Sequence, residues 1–307
     1  MLTTDHQDIL DSEKFETDIF FKMARELYGT CAIQSEDLFY IAFKQTNEFA
    51  AITPKAILSD SRIIKILRYS MLPVISQMKL GQLVGLNTTG DFEDKCAEKN
   101  TNLYKKLDKV APQLCELFNE YLDTQRFLWL SAELDKVKKE LAVNYAKNWT
   151  CSLISNQNSS TVFRNWRKEL QETTAVEQLI KAGYTSIPKR RLISSIEDLL
   201  PGQFTRECRV QGINVQKADI VIRLKQSKKL LFVEAKAIGV RIDAFKRIKE
   251  CREKFNDWRQ AFGKNGAVYG ALLSGFIPES ECRSINEDGG MIFWEHKDDL
   301  FNYVNNN

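Results

Sequence analysis

The chain has 307 residues, 43% of them hydrophobic and 28% charged, with a formal net charge of +3. Those values suit a globular chain large enough for two domains and exclude a disordered or collagen-like one. No stretch approaches the roughly 18 apolar residues of a membrane span, and the acidic start "MLTTDHQDILDSEKFE" has no signal-like apolar core, so the expectation is a cytoplasmic protein without a membrane.

In chain order, the segments "ETDIFFKMARELY", "SRIIKILRYSMLPVI", "LYKKLDKVAPQLCELFNEYL" and "AELDKVKKELAVNYAKNW" place apolar residues at i, i+3, i+4 and i+7. This spacing predicts an all-α region, assigned to residues 1–155. "SLISNQNSST" (152–161) is polar and aperiodic and reads as a linker or long loop. The second domain is assigned to residues 156–307. It opens with one long helix, "TVFRNWRKELQETTAVEQLIKAGYTSI", closed by Gly183. "ADIVIRL" and "KLLFVEAKAI" follow as strands joined by the polar hairpin connection "KQSKK". "IDAFKRIKECREKFNDWRQAFG" returns to helical spacing, and "AVYGALLSGFI" and "GGMIFWEH" read as a buried strand and a shorter one.

Seven Cys form no CxxC pair, and an odd number argues against a closed disulfide framework, so they are expected to be reduced thiols. Charge is unevenly placed. Residues 1–150 carry 19 Lys and Arg against 22 Asp and Glu, whereas residues 151–307 carry 25 against 19. Between 189 and 259 the count is 18 basic to 9 acidic, which fits either a solvated surface or a face for a polyanion.

The chemistry is concentrated in two strands. Side chains alternate faces, so Ala218, Ile220, Ile222 and Leu224 share one side of the first strand and Asp219 lies on the other with Val221 and Arg223. Glu234 and Lys236 share a face in "LLFVEAKAI". A hairpin of suitable register brings Asp219 beside both. Two carboxylates this close repel unless a proton or a cation lies between them, and hard oxygen ligands suit Mg²⁺. A neighbouring Lys can then hold the attacking water, an arrangement fit for phosphodiester hydrolysis. A lone ExK pair is more often an edge-strand ion pair. The preceding Asp and the following Lys- and Arg-rich helix favour the catalytic reading.

Asp219 with "EAK" in this order of strands and helices resembles the PD-(D/E)XK nuclease superfamily, whose core is a small mixed sheet flanked by helices. The run "FTRECRVQGINVQKADIVIRL...LLFVEAKAIGVRIDAFKRI...DWRQAFG...AVYGALLSGFI...GGMIFWEH", about the last 140 residues, is similar to the XamI-type restriction endonucleases. The resemblance implies an α/β fold with a PD-(D/E)XK core and a type II enzyme that cuts double-stranded DNA with Mg²⁺. It implies Asp219 and Glu234 as metal ligands, with the Ala235 carbonyl as a third, and Lys236 as the residue that positions water. An acidic residue of the first core helix often joins the metal; Glu172 fits best and Glu177 is the alternative. Ala218 stands where the superfamily commonly has Pro, and Arg241 and Asp243 stand where small polar residues are usual. Both departures bear on the target sequence more than on the chemistry.

Arg241, Lys246 and Arg247 are candidates for backbone phosphates, as is the basic cluster Lys189, Arg190 and Arg191; for each the competing reading is a solvated charge. Trp166, Trp258 and Trp294 fall in apolar spacing and are assigned to packing, and His296, which has no partner in sequence, to structure. With one constellation per chain and two strands to cut, a homodimer is expected on DNA. The rival functions are a repair or RNA-processing nuclease on the same core and an inactive DNA-binding module.

Overall fold

The computed structural model describes residues 5–86, 92–188 and 192–307. The chain forms two compact units: Ala24–Val162, and a discontinuous one made of Met1–Met23 and Phe163–Asn307. Two long helices, α1 (His6–Gln45) and α7 (Lys136–Lys181), contribute residues to both.

The continuous unit is helical. Between its parts of α1 and α7 lie α2 (Pro54–Ser59), α3 (Ile63–Tyr69), α4 (Gln77–Leu83), α5 (Phe92–Ala97) and α6 (Leu107–Glu120). Starts are capped as the residue types dictate: Thr53 Oγ1 accepts from Ala56 N at 3.2 Å and Ser76 Oγ from Lys79 N at 3.1 Å. On α6 the stripe Leu107, Val110, Ala111, Leu114, Cys115 and Phe118 is buried and joins Phe39, Phe49, Ile63 and Phe127 in one core. Helix α3 is shorter than "SRIIKILRYSMLPVI" suggests: it stops at Tyr69, Met71 bridges to Leu122, and Pro73 has no N–H with which to continue.

The stretch 152–161, expected as a linker or loop, is instead helical and lies inside α7. Polar composition misled the expectation because the hydroxyls bond within the helix. Ser155 Oγ donates to Cys151 O at 2.6 Å, Ser160 Oγ to Asn156 O at 3.0 Å and Thr161 Oγ1 to Gln157 O at 3.2 Å. Cys151 and Ile154 are meanwhile buried in the helical core.

The discontinuous unit carries the strands described: β1 (Thr185–Ser186), β2 (Leu192–Ile193), β3 (Gln203–Gln211), β4 (Val215–Arg223), β5 (Leu230–Ile238), β6 (Ala267–Gly275) and β7 (Met291–Trp294). They form one mixed sheet in the order β1-β3-β4-β5-β6-β7, with β2 also pairing β3. β3, β4 and β5 are successively antiparallel; β5, β6 and β7 are parallel. α8 (Arg241–Gly266) makes the crossover from β5 to β6, breaking its helical geometry at Gly263. α9 (Glu279–Glu287) joins β6 to β7, and α10 (Asp299–Asn305) follows.

Both faces of the sheet are covered, which explains why β5 is apolar on both sides. Leu230, Phe232 and Val221 pack with Ile248, Cys251, Phe255 and Trp258 of α8 and Ile285 of α9. Leu231, Val233, Ile220 and Ile222 pack with Ala175 and Leu179 of α7 and Leu300 of α10. Ala218 was expected with Ile220 and Ile222 but joins the α8 side, next to a break in the ladder at Asp219. Trp258 and Trp294 are core residues, as assigned from their spacing.

Candidate active site

In the register of β4 with β5, the last pair toward the site is Ile220 with Val233, so the next would set Asp219 opposite Glu234. The strands separate there, and Asp219 Oδ2 accepts the Ala235 N–H at 2.9 Å in place of a ladder bond. On its other side, β3 pairs on either side of Glu207 but not at it, and Glu207 has φ +47°. Asp219 thus sits where both neighbouring ladders are interrupted, which frees its carboxylate from regular sheet packing. β5 stays paired with β6 as far as Ile238 and Gly275, so Glu234 and Lys236 are held on a continuous strand.

The register brings three of the expected residues together. Lys236 Nζ donates to Glu234 Oε2 at 2.9 Å and lies 3.6 Å from Asp219 Oδ2. Glu234 has no exposed surface, and its Oε1 is buried without a hydrogen bond. Burial pushes its carboxyl above the usual range, and the Asp219 charge adds to this, while Lys236 and Lys254 oppose it. Burial disfavours the Lys236 ammonium most, but the acidic groups around it, Glu234 foremost and Asp219 among them, together hold Lys236 above its ordinary value. The adjacent Cys251 thiol is pushed up to about 12 by burial and stays neutral.

Sequence reasoning missed Lys254. It reaches in from α8, donating to Glu234 Oε2 at 2.8 Å and to the Lys217 carbonyl at 2.7 Å. The signal was present: Cys251 lies three residues before it and Trp258 four after, so Lys254 belongs to the buried stripe of its helix.

Glu172 is buried on α7, yet its partners are Arg206 at 3.3 Å and Lys168 at 3.4 Å, not the Asp219–Glu234–Lys236 group. Glu177 is exposed. Among the described residues no three His, Cys, Asp or Glu side chains gather as a metal-ligand group. The donor set nonetheless fits a hard cation: two carboxylates converge on Lys236 Nζ, the Ala235 backbone bonds to Asp219, and Glu234 Oε1 is a buried carboxylate oxygen without a hydrogen-bond partner.

Arg241, Lys246 and Arg247 are exposed at the start of α8. Arg241 pairs with Glu13 at 2.6 Å and Arg247 lies 3.9 Å from Glu250. Lys189, Arg190 and Arg191 lie outside the described residues. His296 packs against the rings of Phe15 and Trp294, and burial lowers its pKa.

Another buried cluster lies in the same unit. Arg167 Nε binds Glu16 Oε2 at 2.9 Å, and its Nη2 binds Glu295 Oε2 at 2.7 Å and Ser274 Oγ at 2.9 Å. Gln171 Nε2 adds a bond to Glu295 Oε2 at 2.8 Å. Residues 47–294 match the family model described as XamI restriction endonuclease, a span that takes in most of the helical unit as well as the sheet. No curated protein matches the chain.

Proposed function

The chain belongs to the XamI restriction endonuclease family and is a type II site-specific deoxyribonuclease; from that premise we propose that Asp219, Glu234 and Lys236 are its catalytic residues. The observation that carries the assignment is the convergence of these side chains at a break in the β4–β5 ladder. The mixed sheet with helices on both faces is read as a PD-(D/E)XK core, and catalysis is placed in residues 156–307, which carry every described strand. The helical region 1–155 accompanies it.

Asp219 and Glu234, with the Ala235 carbonyl, would hold Mg²⁺. When bound, it polarises a phosphoryl oxygen and stabilises the departing one. The Ala235 N–H fixes the orientation of Asp219. Lys236, kept charged by the acidic groups around it, Glu234 foremost, donates a hydrogen bond to the attacking water and aims it at phosphorus. Glu172 is an additional ligand only if Arg206 and Lys168 release it. Arg241, Lys246, Arg247 and the cluster Lys189, Arg190 and Arg191 contact DNA phosphates. We place the enzyme in the cytoplasm, in keeping with seven buried cysteines that form no disulfide; among the described residues no helix is long and apolar enough to cross a membrane.

A plasmid digest with Mg²⁺ followed by sequencing of the ends tests the reading. Discrete fragments with one shared end sequence are expected. A smear would favour a repair nuclease on the same core, and binding without cleavage an inactive module. One site per chain leads to a homodimer on DNA. Mixing wild type with Glu234→Ala should then yield nicked plasmid from mixed dimers; double-strand cutting that scales only with wild-type protein would refute the dimer.

A further inference from the structure

Glu234 Oε2 accepts from two ammonium groups, Lys236 at 2.9 Å and Lys254 at 2.8 Å, while Oε1 accepts from none. Two carboxylates therefore face two cations, and the site is neutral by itself. A divalent ion arriving on Asp219 and Glu234 would meet both ammonium groups within contact distance of the oxygen it needs. At such spacing like charges repel strongly in a buried setting, so the ion binds best with one ammonium gone.

The two lysines are unequal candidates to leave. Lys236 is rooted in β5 itself, lies near both carboxylates, and keeps 15% of its side chain exposed. Lys254 comes from α8, is 22% exposed, and has a second acceptor in the Lys217 carbonyl. Released from Glu234, it keeps a hydrogen bond and gains water. We propose that Lys254 is an exchangeable counter-ion of the catalytic carboxylate, which satisfies Glu234 in the ion-free protein and yields Oε2 to the divalent cation. The inference rests on the reading of Asp219 and Glu234 as metal ligands.

It follows that Lys254 weakens metal binding, whereas a mere structural prop would strengthen it by holding the site in shape. Isothermal titration of the DNA-free, full-length protein with Mg²⁺, repeated with Ca²⁺, reads this directly. Lys254→Gln keeps a donor for the Lys217 carbonyl and removes the charge; it should bind metal about fivefold tighter or more, the effect of lifting roughly 1 kcal/mol of repulsion. Lys254→Met should move the same way, and either variant suffices if the other does not fold. Lys254→Arg, which restores the charge, should return to the wild-type affinity. An unchanged or weaker affinity in Lys254→Gln overturns the proposal. If Glu234→Gln binds metal as the wild type does, the ligand assignment has failed, and that outcome is distinguishable from the first.

Discussion

Two buried acid–base clusters in one unit have opposite designs. Around Arg167 a planar guanidinium meets Glu16 and Glu295 through several hydrogen bonds, with Ser274 and Gln171 filling in, so every carboxylate oxygen has a donor, although Gln171 Oε1 is buried without a partner. Around Glu234 two flexible ammonium groups crowd one oxygen and leave the other bare. Arginine's fork suits a permanent joint, whereas lysine is a point charge that can be exchanged for another. Burial raises the carboxyl pKa in both, at Glu295 and at Glu234, so burial alone does not distinguish the joint from the proposed active site. Pairing of the carboxylate oxygens does: all four accept around Arg167, whereas Glu234 Oε1 does not.

The comparison can be broken most severely at Arg167. Arg167→Ala should destabilise the protein by about 3–5 kcal/mol, because two carboxylates lose their buried partner. Urea melts would read it, and Arg167→Lys should recover only part, since an ammonium cannot reproduce the fork. A loss under 1 kcal/mol would make the two clusters equivalent. At the other cluster, Glu234→Ala or Lys236→Ala should lower plasmid cleavage by about 10²-fold or more while the circular dichroism stays unchanged. Near-wild-type cutting by a folded variant would remove the catalytic assignment.

A third set of charges, exposed at the start of α8, sharpens the contrast because it is matched neither to a joint nor to a metal. Lys246→Ala and Arg247→Ala should each reduce the magnitude of the slope of log K against log salt for DNA binding by about 1. An unchanged slope would mean that these residues touch no phosphate. The smallest effect is expected at His296, beside the Arg167 cluster. Burial lowers its pKa, so on acidification the unfolded chain takes up a proton near pH 6.5 before the folded one does. Stability should fall as pH drops through that value until the folded-state pKa is reached, and His296→Gln should flatten this part of the pH profile.

Much of the candidate site was legible because it is written with a period of two. Asp219, Glu234 and Lys236 could be placed on strands from alternation, and the hairpin register then follows from a short connection. β3 was not read as a strand. Its neighbours in the sheet determine it more than its own charged, mixed sequence "QFTRECRVQ" does. The 152–161 stretch was misread because composition does not reveal hydroxyls that bond back to the preceding turn. Lys254 was overlooked for a different reason: a lysine within an apolar helical stripe reads as a solvated edge until the helix is docked on the strand. Glu172 shows the converse, an acidic residue expected at the metal that is buried yet held by Arg206 and Lys168.

The first turns of α1 have a consequence for how the molecule is made. Ser12 Oγ accepts from the Gly275 N–H and Glu16 accepts from Ser274 Oγ, contacts spanning 263 and 258 residues of chain. During synthesis the segment Met1–Met23 must wait until β6 and Glu295 have emerged, whereas Ala24–Val162 is contiguous and can close first. At about 5–20 residues per second the wait lasts roughly fifteen to fifty-five seconds, with the apolar side of the early helix uncovered in the meantime. The proposed nuclease centre, assembled from β4, β5 and α8, belongs to the late-closing unit, so on that proposal the ability to cut DNA matures last.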